Sequence, residues 1–147
     1  MRGHRMKESG IWTEVTFNSR DPLYLQVIRH FKEQIAIGQL QAGQVIPSRR
    51  ELGAQMKINP NTAQRAYKEM EEQLLIITEG NLPSRITNDV RVLRHIRSEL
   101  LNDAVDSFFS SVHKIDVSLA ELIELVTSKY GLVRTEDTKI DGGGEQL

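Results

Sequence analysis

Residues 47–62 read Pro47-Ser48-Arg49-Arg50-Glu51-Leu52-Gly53-Ala54-Gln55-Met56-Lys57-Ile58-Asn59-Pro60-Asn61-Thr62, and this stretch decides the fold. Ser48 and Glu51 stand at capping-box spacing: the serine oxygen takes the amide three residues on, and the glutamate reaches back to the serine amide. A short helix is expected from there to about Lys57. Asn59-Pro60 then opens a second helix. Asparagine caps free amides, and proline at the first helical position gives up only a hydrogen bond that would be missing anyway. This helix is expected to run to about Gln73. Two short helices across a tight turn make a helix-turn-helix, whose second member fits a DNA major groove about 12 Å wide.

Upstream, Gln41-Ala42-Gly43-Gln44 reads as a turn, and before it Tyr24, Val27, Ile28, Phe31 and Ile35 recur at helical spacing. Asp21-Pro22 is expected to cap and start that helix, and Gly38 to close it. Residues 1–20 are expected to form an arm. Within it Ile11, Trp12, Val15 and Phe17 either make a short strand or dock on the domain. Arg2, Arg5 and Lys7 are either a groove-following arm or a frayed end, and the frayed end is favoured.

Downstream, Leu74–Thr78 favours a strand, Glu79-Gly80-Asn81-Leu82-Pro83-Ser84 a turn, and Arg85–Thr87 a returning strand, which together make a small wing. A long helix is expected from about Asp89. Val92, Leu93, Ile96, Leu100, Ala104, Phe108 and Val112 line its apolar side, and Leu101, Val105 and Phe109 widen it. Ser118 and Glu121 repeat the capping box before a last helix with Leu119, Leu122, Ile123, Val126 and Tyr130 on its stripe, expected to end at Gly131. Residues 132–147, with Gly142-Gly143-Gly144, read as a disordered tail. The expected architecture is mainly α with a small β-wing. It comprises an arm (1–20), a winged helix-turn-helix (21–88), a two-helix dimerisation unit (89–131) and a tail (132–147).

At 147 residues the chain is too short for a large catalytic barrel. Cysteine is absent, which removes disulfides and thiolate metal sites, and no apolar run reaches the roughly 20 residues of a membrane span. The first ten residues lack the apolar stretch of a secretory signal, so a cytoplasmic location is expected. The formal net charge of −1 hides two halves of opposite sign. Residues 1–97 carry 15 lysines and arginines against 10 acidic residues, whereas residues 98–147 carry 4 against 10. A polyanion prefers the first half.

In order and spacing, Asp21-Pro22-Leu23-Tyr24-Leu25-Gln26, Gly43, Pro47-Ser48-Arg49-Arg50-Glu51-Leu52, Asn59-Pro60-Asn61-Thr62 and Arg65-Ala66-Tyr67 resemble the GntR superfamily of transcription regulators, YtrA subfamily. The resemblance covers about 50 residues, and the short helical tail also looks like this subfamily, where it would dimerise. Two departures stand out. Gln73-Leu74-Leu75 occupies the place where the family commonly has a glycine after the recognition helix. The turn at residues 79–84 lacks the basic, glycine-bearing wing tip, leaving Arg85 as the nearby cation.

The resemblance puts Arg50 at the family's DNA-contacting arginine. Arg49 sits beside it, also in a first helical turn where free amides favour an anion. Asn61, Thr62, Gln64, Arg65 and Lys68 follow on the recognition helix as candidate contacts to base edges and phosphates. The alternatives are surface pairing of Arg49 and Arg50 with Glu51 or Glu33, and of Arg65 and Lys68 with Glu69 or Glu72. Asn59 is assigned to capping, and Ala63, Ala66, Tyr67 and Met70 to packing. Leu100, Val105, Phe108, Phe109, Leu122, Ile123 and Val126 are expected to form a homodimer interface, the alternative being packing back on the winged domain.

No phosphate loop or nucleophile motif appears, and His95, Glu99, Asp103 and Asp106 read as a solvated helix face rather than a metal set; no enzyme, cofactor or metal is expected. The expected partners are double-stranded DNA and a second copy, with no membrane. The resemblance implies a repressor of a transport operon, often of an ABC transporter, binding a roughly palindromic operator. No residue identifies a small-molecule effector. The rival reading is a protein-interaction module on a winged-helix scaffold.

Overall fold

The computed structural model describes residues 8–141. Six helices and one two-stranded sheet follow in the order α1 (Glu8–Thr13), α2 (Leu23–Ala36), α3 (Arg49–Met56), α4 (Pro60–Glu72), β1 (Ile76–Ile77), β2 (Arg85–Ile86), α5 (Val90–Val112) and α6 (Leu119–Asp141). The chain divides into two compact units, Met1–Asp103 and Ala104–Leu147. The first four turns of α5 therefore belong with the winged domain, beyond the boundary near residue 88 that the sequence suggested. Ile96 is buried in its core, and Val92, Leu93 and Leu100 pack against it half-buried.

The core of the first unit forms where α2, α3 and α4 meet, each contributing one apolar stripe. Phe31 of α2 sits between Trp12, 5.0 Å away, and Tyr67, which meets it edge-on at 5.9 Å. Ala63 and Ala66 are fully buried, as their assignment to packing requires, and their small side chains let α4 lie close to its neighbours. The wing is an antiparallel pair with Ile76 opposite Ile86 and Ile77 opposite Arg85. Residues 43–46 extend it on the other side. Ile86 N–H donates to the Gln44 carbonyl, Ile46 N–H to that of Ser84, and Val45 bridges Arg85.

Most helix ends follow the expected chemistry. Ser48 and Glu51 complete the capping box of α3. Asn59 Oδ1 accepts the Asn61 amide at 2.7 Å, with Pro60 in the first turn of α4. Gly38, at φ +84°, ends α2 through amide bonds from Gly38 and Gln39 to the carbonyls of Ile35 and Gln34. Ser118 Oγ takes the Glu121 amide. At the start of α5 the Arg91 amide donates to Asp89 Oδ1 at 2.9 Å, and this bond holds the Asp89 carboxyl below its ordinary range.

Two expectations, on Asp21 and Gly131, are corrected, and an open one is decided. Of the two expectations for the segment with Ile11 and Trp12, docking on the domain holds and the strand does not: both side chains are buried, Trp12 against Phe31, and the segment docks as the short helix α1. Asp21 does not cap α2: Pro22 takes the cap position, and the Asp21 carboxylate accepts from Asn18 Nδ2 instead. Gln26 Nε2 bonds the carbonyls of Asn18 and Asp21 and organises that turn. Gly131 does not stop α6, which continues ten residues to Asp141, into the segment expected to be disordered. Leu100, placed in the dimer set, is half-buried against the core of the winged domain. Residues 1–7, with Arg2, Arg5 and Lys7, and the tail from residue 142 lie outside the described residues.

The missing glycine after α4 has a structural consequence. Leu74 adopts φ +63° and closes the helix with the bond pattern Gly38 uses on α2: its amide reaches the Glu71 carbonyl, and that of Leu75 the Met70 carbonyl. A left-handed conformation costs a side-chain-bearing residue about 1–2 kcal/mol. Because Leu74 is also exposed, Leu74→Gly loses little burial. After the entropic cost of glycine, the expected gain is about 0.5–1 kcal/mol. Thermal unfolding should show a midpoint about 4 °C higher, and an unchanged or lower midpoint contradicts the strain.

Candidate nucleic-acid interface

The helix-turn-helix has an inner face fixed by the core and an outer face left to solvent. Tyr67 anchors the pair, being fully buried on α4 with its hydroxyl donating to the Pro47 carbonyl just before α3. Burial pushes its phenol well above the ordinary range, so it stays a neutral donor. With Ala63, Ala66, Tyr67 and Met70 turned inward, helical periodicity turns Asn61, Gln64, Arg65 and Lys68 outward, and all four are exposed. Thr62 is half-buried, and its amide closes the first turn on the Asn59 carbonyl.

The cations of this face are used in different ways. Arg50 and Lys68 are exposed and have no ion-pair partner among the described residues. Glu51, one expected mate of Arg50, is occupied by the capping box, and Glu33, the other, pairs with Arg29 at 3.0 Å. Arg65 takes neither Glu69 nor Glu72. Its guanidinium lies 3.8 Å from the centre of the Tyr24 ring on α2, a cation–π stack that aims the group without neutralising it. Lys57, in the turn at φ +58°, adds a further exposed cation. Arg49 is different: its Nη2 donates to Glu71 Oε2 at 3.0 Å.

Sequence reasoning missed two participants here, Tyr24 and Glu71. Tyr24 was assigned to the core stripe of α2, whose half-buried ring also serves as the platform under Arg65. Glu71 lies 22 residues from Arg49, a contact made by helix crossing that linear spacing does not reveal. At the wing, Arg85 Nη2 is paired with Glu79 Oε1 at 3.1 Å, so the nearby cation is neutralised by the acidic turn it follows.

On the second helical unit, Val105, Phe108, Phe109, Ile123 and Val126 are 39–56% exposed, and Leu122 is half-buried. Phe108, Phe109, Leu119, Leu122, Ile123 and Val126 line an apolar groove of about 230 Å³ between the end of α5 and α6. Glu99, one of the four residues on the polar face of α5, accepts a hydrogen bond from Lys32 Nζ of α2 at 2.8 Å. No group of three metal-ligating residues gathers among the described residues, and none of the described helices is long and apolar enough to cross a membrane.

The family described as bacterial regulatory proteins, gntR family, matches residues 23–86, which run from the start of α2 to the end of β2. The HTH-type transcriptional regulator YhcF of Bacillus subtilis is 28% identical over 108 residues, 74% of this chain and 89% of YhcF. The HTH-type transcriptional repressor YtrA of the same organism is 29% identical over 109 residues, 74% of this chain and 84% of YtrA. A GntR family transcriptional regulator from Listeria monocytogenes, of known structure, superposes with a TM-score of 0.71 at 28% identity, over 76% of this chain and 98% of that one. These similarities cover about three quarters of the chain, more than the 64 residues that the family model matches. Residues 23–86 therefore form a helix-turn-helix domain of the GntR family of bacterial regulatory proteins, and over about three quarters of its length the chain is similar to transcription regulators of that family, YtrA among them.

Proposed function

We propose that the chain is a cytoplasmic repressor that binds a roughly palindromic operator as a homodimer, with a transporter operon under its control. The observation that carries the reading is the row of exposed Arg50, Arg65 and Lys68 beside Asn61 and Gln64 on the outer face of the helix-turn-helix. Arg50 and Lys68 meet phosphates, Arg65 and Gln64 reach base edges in the major groove, and Asn61 and Thr62 touch the backbone at the start of α4. The wing, its one cation neutralised by Glu79, adds little charge. The exposed apolar side chains of the second unit support pairing of two copies, because contiguous exposed apolar surface marks an interaction site. Repression and transporter control rest on likeness to YtrA-type regulators, one of which is named a repressor.

The test is transcription from the promoter upstream of the chain's own gene. Deleting the gene should raise transcription about tenfold or more, and restoring the parent chain should lower it, as a repressor in command of a 10³-fold or better specificity ratio requires. Transcription that falls on deletion would assign an activator.

A further inference from the structure

Arg49 and Arg50 are adjacent and chemically identical, yet only Arg50 is free. Arg49 donates to Glu71 Oε2 at 3.0 Å, with its guanidinium 5.7 Å from the Tyr67 ring centre. The same Glu71 oxygen accepts from Thr78 Oγ1 at 2.7 Å, and Thr78 Oγ1 shares a second hydrogen bond with Ser84 Oγ. Thr78 follows β1 and Ser84 precedes β2. One line of side chains thus runs from the first turn of α3, across the end of the recognition helix, to both arms of the wing.

Each part of this line answers a physical need. The wing ladder is two residue pairs long with one further bridge, and a sheet that small is marginal without support at its base. Glu71 stands three residues after Lys68 and seven after Gln64, on the stripe that faces outward, where a bare carboxylate would repel phosphate. Pairing with Arg49 removes that repulsion and spends the arginine's charge inside the protein. The pair is about two-thirds buried on each side, which shields it from bulk water more than an ordinary surface pair.

We propose that Arg49 is a positioning residue and not a phosphate contact: through Glu71 and Thr78 it locks the base of the wing to the recognition helix and fixes the pose in which both meet DNA. The proposal rests on the DNA-binding reading of the outer face for its effect on affinity, while the lock itself is a property of the free protein. It differs from a purely electrostatic role in the sign of one variant. If charge alone mattered, Glu71→Ala would tighten DNA binding by removing a negative charge and releasing Arg49. A lock predicts the opposite, because pre-organisation is lost.

The experiment measures Arg49→Ala, Glu71→Ala, their double mutant and Thr78→Val on the duplex upstream of the chain's own gene, at two salt concentrations. It also follows hydrogen exchange of the Ile46 and Ile86 amides in the free proteins. Glu71→Ala is expected to weaken binding about fivefold, and the near-isosteric, charge-neutral Thr78→Val about threefold. Arg49→Ala should add nothing once Glu71 is alanine, the mark of coupled residues. Its salt slope should match the parent's, whereas Arg50→Ala should lower the slope by about one. Exchange should quicken in all the lock variants. Tighter binding by Glu71→Ala, or a slope lowered by about one in Arg49→Ala, overturns the proposal. Should the parent not bind the duplex, the DNA-binding reading fails by itself. The lock is then judged on exchange alone, and unchanged exchange in Glu71→Ala and Thr78→Val overturns it.

Discussion

Arg65→Ala is expected to weaken binding to the preferred duplex by about 1–3 kcal/mol, roughly fivefold to 150-fold, while binding to an unrelated duplex falls much less. The reasoning begins with packing. Ala66 and Tyr67 turn inward, so Arg65 points outward near the start of α4, where a helix laid in a major groove presents side chains to base edges. Its guanidinium is held 3.8 Å from the Tyr24 ring, which restricts the rotamers of a long side chain before DNA arrives. Pre-organisation of this kind lowers the ordering cost of binding. Removing the platform with Tyr24→Leu should therefore reproduce part of the Arg65→Ala loss with no change in charge. An equal loss on both duplexes in a competition titration would reassign Arg65 to the phosphates, and no loss on either would remove it from the interface.

The second large effect concerns assembly. Phe109→Asp should convert a dimer into a monomer at micromolar concentration, because it places a carboxylate where apolar side chains would otherwise cover one another. Phe108 and Phe109 meet edge-on at 5.8 Å, and with Leu122, Ile123 and Val126 they border the groove along α6. A regulator with two half-sites gains from the linkage of its reading heads, so the monomer should bind the full operator about 10²–10³-fold more weakly. Sedimentation of parent and variant decides the point. Equal masses for the two, both monomeric, would reject pairing through this surface. Phe109 is a cleaner probe than Leu100, which also packs half-buried against the core of the winged domain.

What could be read from the linear chain, and what could not, follows from the range of the forces involved. The capping chemistry of Ser48, Glu51, Asn59 and Pro60 acts within three residues, and it placed α3 and α4 correctly. The apolar stripe of α2 and the closing turn at Gly38 are equally local. The readings that changed have separate causes. Helix α1 is six residues long, too short to be stable alone, and exists because Ile11 and Trp12 are buried beside Phe31. Asp21 lost its capping role to a turn organised by Asn18 and Gln26. Gly131 costs helix stability yet leaves α6 unbroken, because a glycine inside a helix is a penalty of about 1 kcal/mol and not a stop.

The same division holds at the interface. Exposure of Asn61, Gln64, Arg65 and Lys68 follows directly from the inward set of α4, so the sequence sufficed to place them on its outer face. Which cations are free did not follow. The expected mates of Arg49, Arg50, Arg65 and Lys68 were sequence neighbours or Glu33, whereas the contacts of Arg49 and Arg65 are made across helix crossings to Glu71 and Tyr24. The atypical wing was visible as composition, and its neutrality became explicit only through the pairing of Arg85 with Glu79.

The central claim, that this outer face reads DNA, is tested most directly by anisotropy titration of the parent chain with the duplex upstream of its own gene and with a scrambled duplex, at two salt concentrations. The account predicts at least about a thousandfold preference for the upstream duplex and an affinity that falls steeply as salt rises, since phosphate contacts release counterions. Equal binding to both duplexes, or an affinity indifferent to salt, would contradict it and leave the winged helix as a surface for protein partners.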